Sequence, residues 1–292
     1  MFLGTSGSTP TKTRMMPSVA LTYEGSVYLF DCGEGTQMQM MKFGMNFSKV
    51  RAIFISHMHG DHVIGLPGLL RTMALNGRKE QLSIYVPKGE EKLAKSLIFF
   101  DSALIKYNIE IKGVKGGIVY KGKEFSISSF KLIHSAKTYG YVFEEREKTR
   151  FLKDKCEKLG IKGEMFKTLN EKGKVKVNGR TISIGSISRK EKGKKIVYAT
   201  DTRPCKNTNI AAKGADILIH EANYADEEKK FAIERKHSTS VEAAQVAKAA
   251  KVRLLIMTHI SARYRNAQQL LDEAKQIFKN SEVAYDGYIL KL

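Results

Sequence analysis

Three histidines and an aspartate fall within six residues, His57, His59, Asp61 and His62, in the pattern H-x-H-x-D-H. Neutral imidazole nitrogens and carboxylate oxygens are good zinc ligands, and an open site with three protein ligands leaves a position for water. On an extended loop His57 and His59 can both face one ion. Asp61 and His62 follow the tight turn that Gly60 allows, and they can face a second. A lone histidine in a polar loop reads as structural. Three of the chain's seven histidines beside an aspartate read as metal ligands.

These residues need rigid elements to hold them. The apolar run Ile53-Phe54-Ile55 predicts a short buried strand, and Ile64 to about Asn76 predicts a helix. The cluster then sits on the loop leaving the carboxyl end of a strand, where α/β proteins usually place their chemistry. Upstream, Val19–Tyr23 and Val27–Phe30 form a predicted hairpin turned at Glu24-Gly25-Ser26, and Thr36–Phe43 a methionine-rich helix. Downstream, strands are predicted at Leu82–Val86, Ile109–Ile111, Gly117–Tyr120, Phe125–Leu132 and Tyr141–Phe143, with a helix at Glu90–Phe100. A second half restarts near Thr181, with short apolar strands at Ile196–Thr200, Ile217–His220 and Leu254–Met257 and helices at Ser240–Ala250 and Ala267–Phe278. Strands and helices alternating in two halves suggest α/β architecture, two sheets with helices outside.

The H-x-H-x-D-H pattern resembles the metallo-β-lactamase superfamily. The resemblance implies a four-layer αβ/βα sandwich and a dinuclear zinc site. It assigns His57, His59 and His134 to the first zinc, Asp61, His62 and His259 to the second, and Asp201 to a bridge between them. His134 ends FKLIHS, Asp201 ends IVYATD and His259 ends LLIMTH, so each follows a predicted strand. Asp31, in DCGEGT, is expected to brace the histidine loop by hydrogen bonds from behind.

Composition narrows the partners. The chain has 292 residues, 42% hydrophobic and 27% charged, enough for one large globular domain. Its 50 Lys and Arg outweigh 30 Asp and Glu, a net charge of +20. Such an excess favours a polyanionic partner, because each phosphate neutralised releases counterions. No run approaches a membrane span, and MFLGTSGSTP lacks a secretory pattern, so no membrane partner is expected and the cytoplasm is the expected compartment. Cys32, Cys156 and Cys205 are odd in number and scattered, which argues against a disulfide framework or a cysteine zinc knot. Residues 144–177 carry eleven Lys or Arg and seven Asp or Glu, with Phe151, Leu152, Cys156 and Leu159 spaced for one helical stripe ended by Gly160. We read this segment as a basic arm inserted into a single domain spanning 1–292.

Longer motifs narrow the resemblance to the tRNA 3′-processing endoribonucleases, the ribonuclease Z branch. GTSGSTPTKTR resembles that family's substrate loop, with Met15 where the family has Asn. DCGEGTQ, SHMHGDHVIGLPGLL, KIVYATDTRP and LIMTHISARY also match, as do HEAN at 220–223 and KHSTS at 236–240, with Asn223 in place of the usual Thr. The resemblance implies a precursor tRNA substrate, a homodimer and tRNA binding by the arm, whose Gly-Pro centre is here GIKGEMFKTL. It implies metal-assisted attack on the phosphorus 3′ of the discriminator nucleotide, with Asp61 as proton acceptor. Glu221 and His237 are the candidates for delivering a proton to the leaving oxygen. Lys12, Arg14 and Arg263 are the candidate phosphate contacts. The rival reading is a phosphodiesterase of the same superfamily for small or cyclic phosphodiesters, for which so basic a chain would be superfluous.

Overall fold

The computed structural model describes residues 1–99 and 105–292. Residues 1–143 and 195–292 form one compact unit, and residues 144–194 form another.

In the larger unit two sheets lie face to face. One sheet has the strand order Phe2–Gly4, Ser18–Tyr23, Ser26–Phe30, Val50–Phe54, Leu82–Pro87, Ile109–Val114. The other runs Ser281–Val283, Leu254–Thr258, Ile217–Glu221, Lys195–Ala199, Tyr139–Glu145, Phe125–Lys131, Gly117–Lys121. Strand alternation sorts the side chains by shape. Tyr28, Phe30, Phe54, Tyr85, Phe125, Tyr141 and Tyr198 point between the sheets and fill a largely aromatic core. Their neighbours in sequence, such as Leu29, Ile53 and Ile84, point the other way and pack on the helices Thr36–Lys42, Gly65–Leu75 and Glu91–Ile98. Val197, Leu218 and Leu255 do the same beneath Lys206–Ala212, Ser240–Ala250 and Gln268–Ile277. The layers are helix, sheet, sheet, helix, the expected αβ/βα sandwich. The helix expected at Glu90–Phe100 spans Glu91–Ile98, and Phe100 lies outside the described residues. The hairpin turn falls at Glu24 and Gly25, both at positive φ (47° and 73°), as a tight two-residue turn requires.

Ser26–Phe30, Val50–Phe54 and Leu82–Pro87 run parallel, and so do Lys195–Ala199, Ile217–Glu221 and Leu254–Thr258. Every candidate ligand therefore emerges at a strand's carboxyl end, or in the loop just beyond it.

The smaller unit corrects two expectations. It extends past Val177 to Lys194, so the second half does not restart at Thr181. The cause is local. Asn178 and Gly179, at φ 49° and 76°, close a hairpin that pairs Lys174–Val177 with Arg180–Ser183 and binds both sides of the expected boundary into one unit. The expected stripe also splits. Phe151 belongs to the strand Lys148–Phe151, Leu152 precedes the helix Lys153–Lys158, and Leu159 is exposed. Cys156 alone of the four is buried, packed with Ile161, Leu169, Val177, Ile182 and Ile187.

Candidate active site

His57, His59, Asp61 and His62 leave Val50–Phe54 and enter the short helix Gly60–Val63. His134 follows Phe125–Lys131, Asp201 follows Lys195–Ala199, and His259 follows Leu254–Thr258. The two sheets bring all seven to one place. Asp31, Asp201 and His259 hold left-handed backbone, at φ 59°, 47° and 57°. Such strain in non-glycine residues concentrates at functional sites, where the surrounding structure holds it.

Asp201 divides the site in two. Its Oδ2 lies 3.6 Å from Nε2 of both His57 and His134. Its Oδ1 lies 3.4 Å from His62 Nε2 and 3.1 Å from His259 Nε2. Asp61 Oδ2 stands 3.4 Å from His62 Nε2 and 3.6 Å from His259 Nε2. One ligand group is thus His57, His59, His134 and Asp201, and another is Asp61, His62 and His259. His59 is the exposed member, which leaves the site open on its side.

His59 Nδ1 faces His57 Nε2 at 2.9 Å, while Nδ1 of His57, His62 and His134 is held from behind. His62 Nδ1 donates to Asp31 Oδ2 at 2.8 Å. Ser56 Oγ donates to the same oxygen at 2.9 Å and can accept from His57 Nδ1, also at 2.9 Å. His134 Nδ1 donates to the carbonyl of Lys236 at 3.1 Å. Each bond places the ring proton on Nδ1 and turns Nε2 toward the centre. Nε2 of His62 and of His259 is buried without a hydrogen-bond partner. A buried donor set with vacant lone pairs around carboxylates fits a cation.

The electrostatics agree. Burial, reinforced by the neighbouring His62, holds His57 well below the ordinary imidazole range, and burial lowers His134 as well. At His62, burial is outweighed by Asp201, Asp31 and Asp61, and the pKa rises. At Asp61 burial is outweighed by His62 and His259, which hold it far below the usual carboxylate range. Asp201 is depressed likewise, against burial, by His259, His62 and His57. The carboxylates call for positive charge, whether from a proton or from a metal ion.

Beside this cluster, His237 Nδ1 lies 3.0 Å from Glu221 Oε2 and 3.2 Å from Oε1. Burial opposes its charging, but Glu221 prevails and the pKa rises to about 9. The His237 ring is 5.0 Å from that of His134 and 5.5 Å from that of His259. Arg203 donates to the His237 carbonyl at 2.5 Å and forms a two-pronged pair with Glu242, which in turn caps the helix Ser240–Ala250.

The basic candidates are placed differently. Lys12 is exposed on the loop after Gly7. Arg14 turns inward and donates to Thr5 Oγ1 at 2.7 Å and to the Ala284 carbonyl at 2.6 Å, so it fastens the loop. Arg263 pairs with Glu228 at 3.1 Å and stacks on Tyr224, whose ring lies 6.1 Å from that of His237. Sequence reasoning assigned no role to Ser56, Tyr198, Arg203 or the Lys236 carbonyl, although all four lie in or beside the motifs SHMHGDHVIGLPGLL, KIVYATDTRP and KHSTS. No helix among the described residues is long and apolar enough to cross a membrane.

A family model described as Anti-Pycsar protein Apyc1 matches residues 1–279. A ribonuclease Z of Methanothermobacter thermautotrophicus is 40% identical over 287 residues, covering 98% of this chain and 94% of the relative. One from Archaeoglobus fulgidus is 42% identical over 297 residues, covering 100% and 96%. The crystal structure of human tRNase Z, short form, superposes with a TM-score of 0.72 at 25% identity, covering 100% of this chain and 98% of that one. The metallo-β-lactamase fold protein YhfI from Bacillus subtilis gives 0.71 at 18% identity, a likeness of fold alone. The full-length identity joins the ligand geometry and the sandwich to one conclusion: the chain belongs to the ribonuclease Z family, tRNA 3′-processing endoribonucleases of the metallo-β-lactamase fold, and to the grouping that the Apyc1 model describes.

Proposed function

We propose that this chain cuts precursor tRNA on the 3′ side of the discriminator nucleotide, using two zinc ions. The product tRNA carries a 3′-hydroxyl and the released trailer a 5′-phosphate. The observation that carries the dinuclear reading is the division of Asp201, with one carboxylate oxygen toward His57 and His134 and the other toward His62 and His259. His57, His59 and His134 would hold one ion, Asp61, His62 and His259 the other, and Asp201 both. Bound there, the ions would supply Lewis-acid charge to the phosphoryl oxygens and acidify the attacking water.

The chain's own groups do the rest. Asp61 orients the water, steadied by the Ser8 amide that donates to Oδ2 at 3.1 Å, and because its own basicity is low it can accept the proton only from a water the ions would have acidified. The water oxygen bonds to phosphorus as the bond to the discriminator O3′ breaks. His237, charged beside Glu221, gives its proton to that leaving oxygen. Lys12 and Arg263 contact backbone phosphates, while Arg14 supports the loop that carries Lys12. Residues 144–194 carry sixteen Lys or Arg against eight Asp or Glu. A cavity of about 670 Å³ in that unit is lined in part by Arg150, Lys153, Lys155 and Arg189. This supports a tRNA-binding role for the unit. A homodimer and a cytoplasmic location complete the reading; light scattering and cell fractionation test them.

The deciding assay offers the purified, metal-analysed protein a precursor tRNA with a 3′ trailer beside bis-p-nitrophenyl phosphate. A single cut after the discriminator, lost in Asp61→Ala, is expected. Turnover of the small diester without precursor cleavage would retain the dinuclear centre and replace tRNA with a small or cyclic phosphodiester.

A further inference from the structure

Glu221 and Asn223 leave the same strand two residues apart, and each holds one imidazole of a stacked pair. Glu221 Oε2 lies 3.0 Å from His237 Nδ1, and the amide end of Asn223, placed with its nitrogen foremost, lies 3.0 Å from His259 Nδ1. The His237 and His259 rings stack with their planes 24° apart. Asn223 is 4% exposed. Gly7 seals its contact: a Cβ there would stand 2.8 Å from His259 Nδ1 and 2.9 Å from the Asn223 amide nitrogen.

The partner of one ring nitrogen decides what the other can do. His259 Nε2 is buried, lacks a hydrogen-bond partner, and lies 3.1 Å from Asp201 Oδ1. To hold a metal it needs a free lone pair, so the ring proton must sit on Nδ1. Asn223 must then present its oxygen there, which a half-turn of the amide about its last side-chain bond achieves, since the oxygen and nitrogen ends have nearly the same shape. In the opposite setting the amide donates to Nδ1, the ring proton moves to Nε2, and the ligand atom is lost. A carboxylate faces the imidazole that carries a proton, and a neutral amide faces the one that carries a metal.

We propose that Asn223 is a positioning residue: its side-chain oxygen holds the His259 proton on Nδ1 and keeps Nε2 as a metal donor. The inference rests on the ligand set proposed above, since it requires His259 to bind metal.

The test compares Asn223→Leu, which matches the side chain's size without an acceptor, with Asn223→Asp, which keeps an oxygen, and with His259→Ala. Zinc per chain is measured by elemental analysis and zinc affinity by competition with a chromophoric chelator, with circular dichroism to verify folding. Asn223→Leu is expected to weaken one of the two ions about 10–100-fold, and Asn223→Asp to stay within about threefold of the parent. Retention of affinity in Asn223→Leu, or equal losses in both variants, would overturn the proposal. Should Asn223→Leu not fold, Asn223→Ala is read by the same criteria. Full zinc retention in His259→Ala would instead overturn the ligand set. Loss there with none in the leucine variant rejects only the role of Asn223.

Discussion

The Tyr198 phenol donates to Asp31 Oδ2 at 2.8 Å, joining the carboxyl ends of two strands that belong to different sheets. Asp31 is fully buried and also accepts from Ser56 N at 2.7 Å, Ser56 Oγ and His62 Nδ1. Tyr141, from the same sheet as Tyr198, donates to the Ile55 carbonyl at 2.7 Å. Two tyrosines of one sheet thus support the histidine loop of the other. Tyr198→Phe removes one donor from a buried carboxylate, and a hydrogen bond to a charged group contributes about 1.5–3 kcal/mol. We expect a loss of that order in a denaturant titration, with a weaker hold on zinc. An unchanged midpoint would reduce Tyr198 to packing.

In the proposed mechanism His237 sets a pH limit. Its pKa is raised to about 9 by Glu221 against burial, so the proton donor is present below that value and lost above it. A cation in the adjacent site lowers the value. The alkaline limb of kcat/KM at saturating zinc is therefore expected at or below pH about 9. Glu221→Gln removes the raising charge and should shift the limb to lower pH. A limb that stays in place would assign it to another group.

Metal content tests the division of Asp201. Asp201→Asn is expected to lose both ions, whereas His134→Ala and His259→Ala should each lose mainly one, as read by elemental analysis. Zinc at about 1,000 times its dissociation constant adds about 4 kcal/mol to stability. A chelator should therefore lower the melting temperature sharply in the parent and little in Asp201→Asn. A parent that binds one ion would reject the bridge.

Lys12 and Arg14 should separate cleanly. Lys12→Gln removes an exposed cation and is expected to reduce the slope of log affinity against log salt by about 0.7–0.9. Arg14→Gln breaks the bonds to Thr5 and Ala284 and should lower the melting temperature more than it changes that slope. Equal changes in slope would return Arg14 to the phosphate contacts.

Leu169 is fully buried in the small core of residues 144–194. Leu169→Ala is expected to cost about 2–5 kcal/mol of that unit's stability. If the unit binds tRNA, KM for precursor rises at least severalfold while turnover of bis-p-nitrophenyl phosphate holds. Parallel losses on both substrates would show that the unit supports the metal site.

The sequence alone determined the layered α/β fold and the strand-end positions of the proposed ligands. Alternating apolar runs and the spacing of H-x-H-x-D-H are local properties, and local periodicity survives without knowledge of the fold. The Asn178-Gly179 turn is equally local, and the hairpin it closes carries the smaller unit past Val177. Tertiary structure decided which atoms face one another across long separations. Tyr198 reaches Asp31 because sheet alternation turns it inward and the opposing strand ends there. Arg14 turns inward because Thr5 and the Ala284 carbonyl, far apart in sequence, meet beneath its loop. Asn223 meets His259 because adjacent parallel strands end level with each other, a register that pairing sets and no single segment encodes.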